Sequence, residues 1–468
     1  MVRKKTSRAG SNARKIAEKS RRRKAEGSAA RPDRASRNGF RAKIRMYRQG
    51  LGDCFLVTLP RRTDPNGSNP YRIMIDCGVI LGTPDAVDKM TKVVDDIVGE
   101  TNGHVDLLLA THLHWDHLSG FTQAEDSFKN FKADQVWMPW TEDPEDPNGR
   151  ALGNERDSAL GALRTNIARM HLAGDTETAS EVSGLLDFFG MAAASTPDAL
   201  DNARKLGPVR YCRPTDAPID EPDTGVRFYV MGPPLDEKFL KRTNPSSAHP
   251  ETYGMALDVF AANTPALMES GRTNSPFGSL YAIPMPVAQG MEFFRQRYWT
   301  GDGTDLWRNI ETAAFADAAA LALQLDRVTN NTSLVLAIEL PDGDVLIFPA
   351  DAQVGNWLSW GTLKWKIDGI ERGGHDLLKR TIFYKVGHHA SHNATLKAAG
   401  LELMGKLQVA MIPVNEQMAK KKGWGHMPLP ELEAALRERA QIVLRADQPA
   451  PVGTIMSGSD DLFYEITL

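Results

Sequence analysis

The stretch Thr111-His112-Leu113-His114-Trp115-Asp116-His117-Leu118-Ser119-Gly120-Phe121 decides how the rest of the chain is read. Three imidazoles and a carboxylate fall within the six positions 112–117. The apolar run Leu107-Leu108-Leu109-Ala110 leads straight into them, too short for a helix and feeding a loop, which predicts a buried strand. His112 and His114 are two apart, so in near-extended backbone they point to the same side. Asp116 and His117 follow the turn and can face a second ion beside the first. Neutral imidazole and carboxylate hold zinc, manganese or iron while leaving a coordination position for water. Water bound to such an ion loses its proton near neutral pH and becomes a nucleophile.

Working outward, Ala42 to Tyr47 reads as a strand. The turn Gly50-Leu51-Gly52-Asp53-Cys54 enters a second strand, which runs to Leu59. Pro65-Asn66-Gly67 marks a hairpin loop, and Tyr71 to Ile75 is a third strand, ending in Asp76-Cys77-Gly78. A helix is predicted over 85–98. Beyond the histidine loop, Trp137 to Trp140 looks like a strand end, 159–190 has helical spacing broken at Gly174, and Val226 to Val230 is a strand. Residues 235–325 read as an insertion, Pro- and Asn-rich at first and helical from 305 to 325. It suits a lid, a substrate wall or a docking surface for a protein partner. The core resumes at Asn331 and makes a hairpin through Asp342-Gly343 into Val345-Leu346-Ile347-Phe348, which ends in Pro349-Ala350-Asp351. Another strand, Ile382 to Val386, runs into Gly387-His388-His389-Ala390-Ser391-His392. A strand over 407–413, a helix over 429–439 and strands at 442–444 and 462–468 close the chain.

T-H-x-H-x-D-H after a short strand resembles the metallo-β-lactamase superfamily. The series G-x-G-D-C at 50–54, I-D-C-G at 75–78 and the histidine loop is similar, more narrowly, to the hydrolase domain of ComEC-type DNA-uptake proteins. That resemblance covers roughly 42–121 and 331–415. It implies an αββα metallo-β-lactamase sandwich in residues 39–468, with a one- or two-metal site along one edge of the sheets. It places Asp76 beneath the metals as an orienting carboxylate. Asp351 stands where that family has a bridging aspartate, although Pro349-Ala350 replaces the family's Thr-Gly. The H-H-A-S at 388–391 stands where the family has H-H-G-S. His388 is the expected ligand of the second ion, and His389 or His392 the expected proton donor. A third histidine for the first ion is missing. The interval offers only His171 and His249, neither in a recognisable ligand motif, so His112, His114, Asp351 and water are expected there. The full expected set is therefore His112, His114, Asp116, His117, Asp351 and His388 around one or two divalent ions. Zinc and manganese are the leading candidates, and a water-rich site also suits magnesium.

Charge is unevenly spread. Residues 1–38 hold 14 basic and 3 acidic side chains, leaving 42 basic and 56 acidic in the remainder of a chain that totals 56 and 59. The tail reads as disordered and able to contact phosphates; the body is acidic. Lys420-Lys421-Lys422 with Trp424 is a second place that could touch a nucleic-acid backbone and stack on a base. Three cysteines, with no C-x-x-C pair, argue against a disulfide framework. The absence of a long apolar run and of an apolar leader argues for a cytoplasmic protein that does not enter a membrane. The resemblance implies hydrolysis of phosphodiester bonds in DNA or RNA. Two other readings stay open: hydrolysis of a small ester, thioester, lactone or phosphate, and a partner-dependent component of a multi-protein system.

Overall fold

A computed structural model describes residues 40–64, 67–173, 176–190, 196–246, 251–253, 283, 285–298, 310–367, 369–450, 456–457 and 461–468. The basic tail, His249 and most of 254–309 lie outside the described residues.

Two large mixed sheets flanked by helices make up the unit that begins at Arg41. The strands of the first half are β1 (Lys43–Tyr47), β2 (Cys54–Leu59), β3 (Tyr71–Cys77), β4 (His104–Leu109), β5 (Lys132–Pro139), β6 (Val209–Cys212), β7 (Ile219–Glu221) and β8 (Val226–Gly232). Those of the second half are β9 (Val335–Glu339), β10 (Val345–Phe348), β11 (Lys364–Ile367), β12 (Ile370–Gly373), β13 (Thr381–Lys385), β14 (Val409–Ile412), β15 (Ile442–Arg445), β16 (Met456–Ser457) and β17 (Phe463–Thr467). One sheet runs β16-β17-β1-β2-β3-β4-β5-β6 and the other β15-β14-β13-β10-β9-β8-β7, while β11 and β12 form a separate hairpin.

The period of two along each strand builds the layers. In β3 and β4, Ile73, Ile75, Leu107 and Leu109 point into the core between the sheets, while Met74 and Leu108 point to the outer side. In the other sheet Leu336, Ile338, Leu346 and Phe348 share that inner core, and Val335, Ala337, Val345 and Ile347 face outward. Helix α1 (Ala86–Thr101) covers the outer side of the first sheet through Met90, Val93, Val94 and Ile97, the i, i+3, i+4, i+7 stripe of an amphipathic helix. Helices α2 (Trp115–Leu118), α3 (Pro147–Ala173), α4 (Thr176–Leu186), α5 (Thr196–Arg204), α6 (Ile310–Asn331) and α7 (Val354–Trp360) follow along the chain. Of these, α3, α4, α6 and α7 contribute to the core outside the second sheet, with Leu163, Val182, Ala322, Trp357 and Trp360 all buried. No helix among the described residues is long and apolar enough to cross a membrane.

Parallel pairing decides where the site lies. β3, β4, β5 and β6 run parallel, as do β10, β13, β14 and β15. Their carboxyl ends, and the loops that leave them, gather on one edge. Open α/β sheets hold their ligands outside such strand ends.

Several element boundaries differ from the sequence reading: the helix expected from 159 begins at Pro147, and the one expected to end at 98 runs to Thr101. The helix expected to stop at Leu325 continues to Asn331, and the strand expected from Asn331 begins only at Val335. Alanine and leucine carry the helix to Leu325. Asn331 then ends it with a side chain that caps other loops: its Nδ2 donates to the carbonyls of Leu240 and Arg242, and its Oδ1 accepts from the Gln353 N–H.

Candidate metal centre

The floor of the site is main chain. The Gly52 φ is +151°, and a Cβ there would lie 2.5 Å from Gly78 O and 2.6 Å from Asp116 O. Asp53 N–H donates to Asp116 O, and Gly78 N–H to Asp53 O, at 3.0 and 2.9 Å. The G-x-G-D turn thus lets three backbone segments meet directly under the histidine loop, a close approach only glycine permits.

Asp76, at the end of β3, is fully buried. One carboxylate oxygen accepts the Thr111 N–H at 2.8 Å; the other accepts the Thr111 hydroxyl and the His117 Nδ1–H, both at 2.7 Å. Since the Thr111 hydroxyl has spent its only proton on Asp76, its oxygen must accept from His112 Nδ1–H, 3.1 Å away. Asp76 therefore sets two tautomers. His112 and His117 both carry a lone pair on Nε2. His389 Nδ1 donates to the Pro413 carbonyl at 2.6 Å, which leaves its Nε2 turned inward as well.

The inward atoms converge. His112 Nε2 lies 3.1 Å from His114 Nδ1. His117 Nε2 lies 3.3 Å from Asp351 Oδ2 and 3.8 Å from Asp116 Oδ2. His389 Nε2 lies 2.9 Å from Asp116 Oδ2 and 3.7 Å from Asp351 Oδ2. Ligand atoms sharing one ion through bonds of about 2.1 Å are roughly 3.0–3.4 Å apart, so these spacings suit one or two cations. His117 Nε2, Asp351 Oδ2 and Asp116 Oδ1 are buried without a hydrogen-bond partner, a costly arrangement that a cation would relieve. Asp53, His117, Asp351 and His389 form a buried group able to hold a metal ion. Within it Asp53 faces the rear nitrogens, 3.8 Å from both His117 Nδ1 and His389 Nδ1, so Asp116 rather than Asp53 meets the inward side.

Electrostatics agree with that geometry. Burial works against protonation of His117, but Asp351, Asp53, Asp116 and Asp76 outweigh it and raise its pKa well above the usual value. His389 is raised against its burial by Asp351 and Asp116. His112 and His114 are pushed down, chiefly by burial and then by neighbouring imidazoles, His114 to about 3. Despite burial, Asp351 is held well below the ordinary carboxylate range by His117 and Lys385.

The adjacent histidines are placed the other way round from the expectation. His389, not His388, joins Asp116, His117 and Asp351. The reason is backbone: His388, His389 and Ala390 have φ of 45°, 52° and 64°, a left-handed run that turns His389 inward. His388 Nδ1 meets Ser391 Oγ at 2.6 Å, and its Nε2 meets Asn330 Nδ2 at 3.4 Å. His392 is half-buried and helps to depress the His388 pKa. His171 is exposed on α3, away from the converging atoms.

The residues expected to touch nucleic acid are partly engaged within the chain. Trp424 stacks on Phe188 with ring centroids 4.4 Å apart, which covers one of its faces. Lys422 pairs with Asp187 and Lys420 with Glu416, leaving Lys421 exposed beside them. Phe188 and Phe189 in turn lie 5.2 and 5.0 Å from the His114 ring, so this surface is an aromatic wall of the site.

Three contributors escaped the sequence reading. Lys385, buried at the end of β13, donates to Asp351 Oδ1 at 3.2 Å and Ala350 O at 2.8 Å and pairs with Asp53 at 2.5 Å. Asp326 and Asn330, on the last turns of α6, face His114 and His388. The Tyr-Lys-Val strand before the paired histidines could have pointed to Lys385, since a lysine between two apolar neighbours at a buried strand end needs partners. Nothing comparable marks Asp326. Compared with known proteins, the chain matches no family profile and no curated sequence.

Proposed function

We propose that the chain is a metal-dependent hydrolase of the metallo-β-lactamase kind, holding one or two divalent ions, zinc or manganese foremost. The observation that carries this reading is the inward convergence of His112, His114, Asp116, His117, Asp351 and His389, with the rear nitrogens of His112, His117 and His389 tied down by Thr111, Asp76 and Pro413. A divalent ion in such a site acidifies water and neutralises charge that builds on a substrate oxygen. The chain's own residues do the rest. Asp76 and Thr111 fix the tautomers of His112 and His117. Lys385 and the His388 N–H hold Asp351 Oδ1, which turns Oδ2 toward the site. Asp116 and Asp351 are positioned to hold the proton that leaves an attacking water.

Phosphodiester bonds of DNA or RNA are the substrate implied by the resemblance to ComEC-type domains. A small ester, thioester, lactone or phosphate is the second reading, and a specific observation favours it. Phe188 and Phe189 flank His114, and Lys422 beside that wall is held by Asp187, which suits a compact substrate better than a polymer. The decisive experiment supplies Mn²⁺, Zn²⁺ or Mg²⁺ and compares labelled single- and double-stranded DNA and RNA with a small chromogenic phosphodiester and a thioester. Asp116→Ala serves as the control. Metal-dependent turnover of any of these that vanishes in the control supports the hydrolase. Turnover confined to the small substrates decides for the second reading. Folded, metal-loaded protein that turns over none of them refutes both.

A further inference from the structure

Helix α6 changes character along one face. Ala318, Ala322 and Leu325 pack into the core, and the same stripe continues as Asp326, Thr329 and Asn330, all buried. The apolar half anchors the helix; the polar half reaches the site. Asp326 Oδ1 is buried without a hydrogen-bond partner, and so is His114 Nε2. These two orphaned atoms face each other at 3.7 Å. The other oxygen of Asp326 accepts from Asn330 Nδ2 at 3.4 Å, and that amide also reaches His388 Nε2 at 3.4 Å.

His114 presents Nδ1 to His112, so Nε2 is its rear nitrogen. The other three inward-facing histidines have their rear nitrogens occupied: His112 by Thr111, His117 by Asp76 and His389 by Pro413. Only His114 needs a partner from outside the sandwich strands and their loops. An imidazole that ligates through Nδ1 must carry its proton on Nε2, and a carboxylate facing that proton fixes both the tautomer and the ring orientation.

We propose that Asp326 is the positioning carboxylate of His114, so that helix α6, whose earlier turns belong to the 235–325 stretch, supplies the outer support of the first metal position. The second position, built by Asp116, His117, Asp351 and His389, takes its support from Asp76 and Pro413 within the sandwich. The two positions therefore respond differently to changes in α6. This inference rests on the metal-centre reading above.

The test titrates Zn²⁺ and Mn²⁺ separately into metal-free native protein, Asp326→Ala and Asp326→Asn, following heat and bound metal, and melts each protein with chelator and with metal. Native protein is expected to take up two ions. In Asp326→Ala one affinity falls about 10–100-fold, the usual effect of losing such a partner, while the other stays put. With chelator, Asp326→Asn melts no lower than native protein, because a buried carboxylate with one neutral partner contributes no stability of its own. With metal it melts lower than native. Native uptake of two ions with unchanged affinities in both variants overturns the inference alone. So does an equal loss of melting temperature with and without metal, which would make Asp326 a packing residue. Native protein that takes up no ion overturns the metal-centre reading, and this inference with it.

Discussion

Replacing Lys385 with methionine keeps the length of the side chain and removes its charge. In the native protein Nζ sits between the carboxylates of Asp53 and Asp351 and also donates to the Ala350 carbonyl, with the lysine 1% exposed. Both carboxylates press the ammonium toward its charged form, and they outweigh the burial that opposes it. Its loss leaves two carboxylates buried together without their shared cation. Removing one partner of a buried ion pair costs about 3–5 kcal/mol, most of it the penalty of the abandoned charge. Lys385→Met should therefore lower the stability of the metal-free protein by about 3–5 kcal/mol. Asp53→Asn on top of it removes one abandoned charge and should restore about 1–3 kcal/mol, a coupling of the size seen between contacting residues. Urea unfolding followed by tryptophan fluorescence, in chelator, measures both variants and closes the cycle with Asp53→Asn alone. A loss below about 1 kcal/mol for Lys385→Met, the scale of an exposed pair, refutes the reasoning. So does a double variant whose loss is the plain sum of the two single losses.

Two more outcomes follow from the site. His389→Ala should abolish uptake at one metal position, whereas His388→Ala should leave metal content intact, as read by elemental analysis of dialysed protein; a metal-free His388→Ala paired with a fully loaded His389→Ala would reverse the assignment. Asp351 and its neighbouring carboxylates raise the pKa of His117 and His389, so in the metal-free protein both rings hold a second proton to higher pH than an ordinary imidazole, and an ion must displace it. Affinity should then rise with pH through the neutral range, and calorimetry in buffers of different ionisation heat should show net proton release. Proton uptake, or an affinity that falls as pH rises, would contradict the assigned charges.

The parts of this molecule that were legible in its residues are those written contiguously. Near-continuous apolar runs within 54–59, 71–77, 335–339 and 345–348 place the central strands, because a strand packed against a core on each side buries both of its faces. Four ligand-type side chains between 112 and 117 mark a loop of candidate metal ligands, because their chemistry is local. What stayed hidden depends on conformation or on distance. The choice between His388 and His389 is made by three left-handed residues, none of them glycine, and side-chain identity does not encode that turn. Lys385 reads as one polar position in a strand until Asp53, over three hundred positions earlier, is brought beside it. Asp326 closes an alanine-rich helix that by propensity alone is only a helix. In the lysine run at 420–422, Glu416 stands one helical turn before Lys420, but the partner of Lys422, Asp187, comes beside it only in three dimensions.

The floor beneath the histidine loop joins Gly52, Gly78 and Asp116 from the first sheet, whereas Asp351 and His389 hang from strand ends of the second. Neither sheet owns a complete set of ligands. A cation bound here would act as a rivet between two leaves of the molecule, and pulling the leaves apart would release it. Its occupancy would then report whether the leaves have closed. At a free-ion level a thousandfold above the dissociation constant, closure would gain about 4 kcal/mol per ion. Metal supply would thus set how long the closed molecule lasts as well as what it can do.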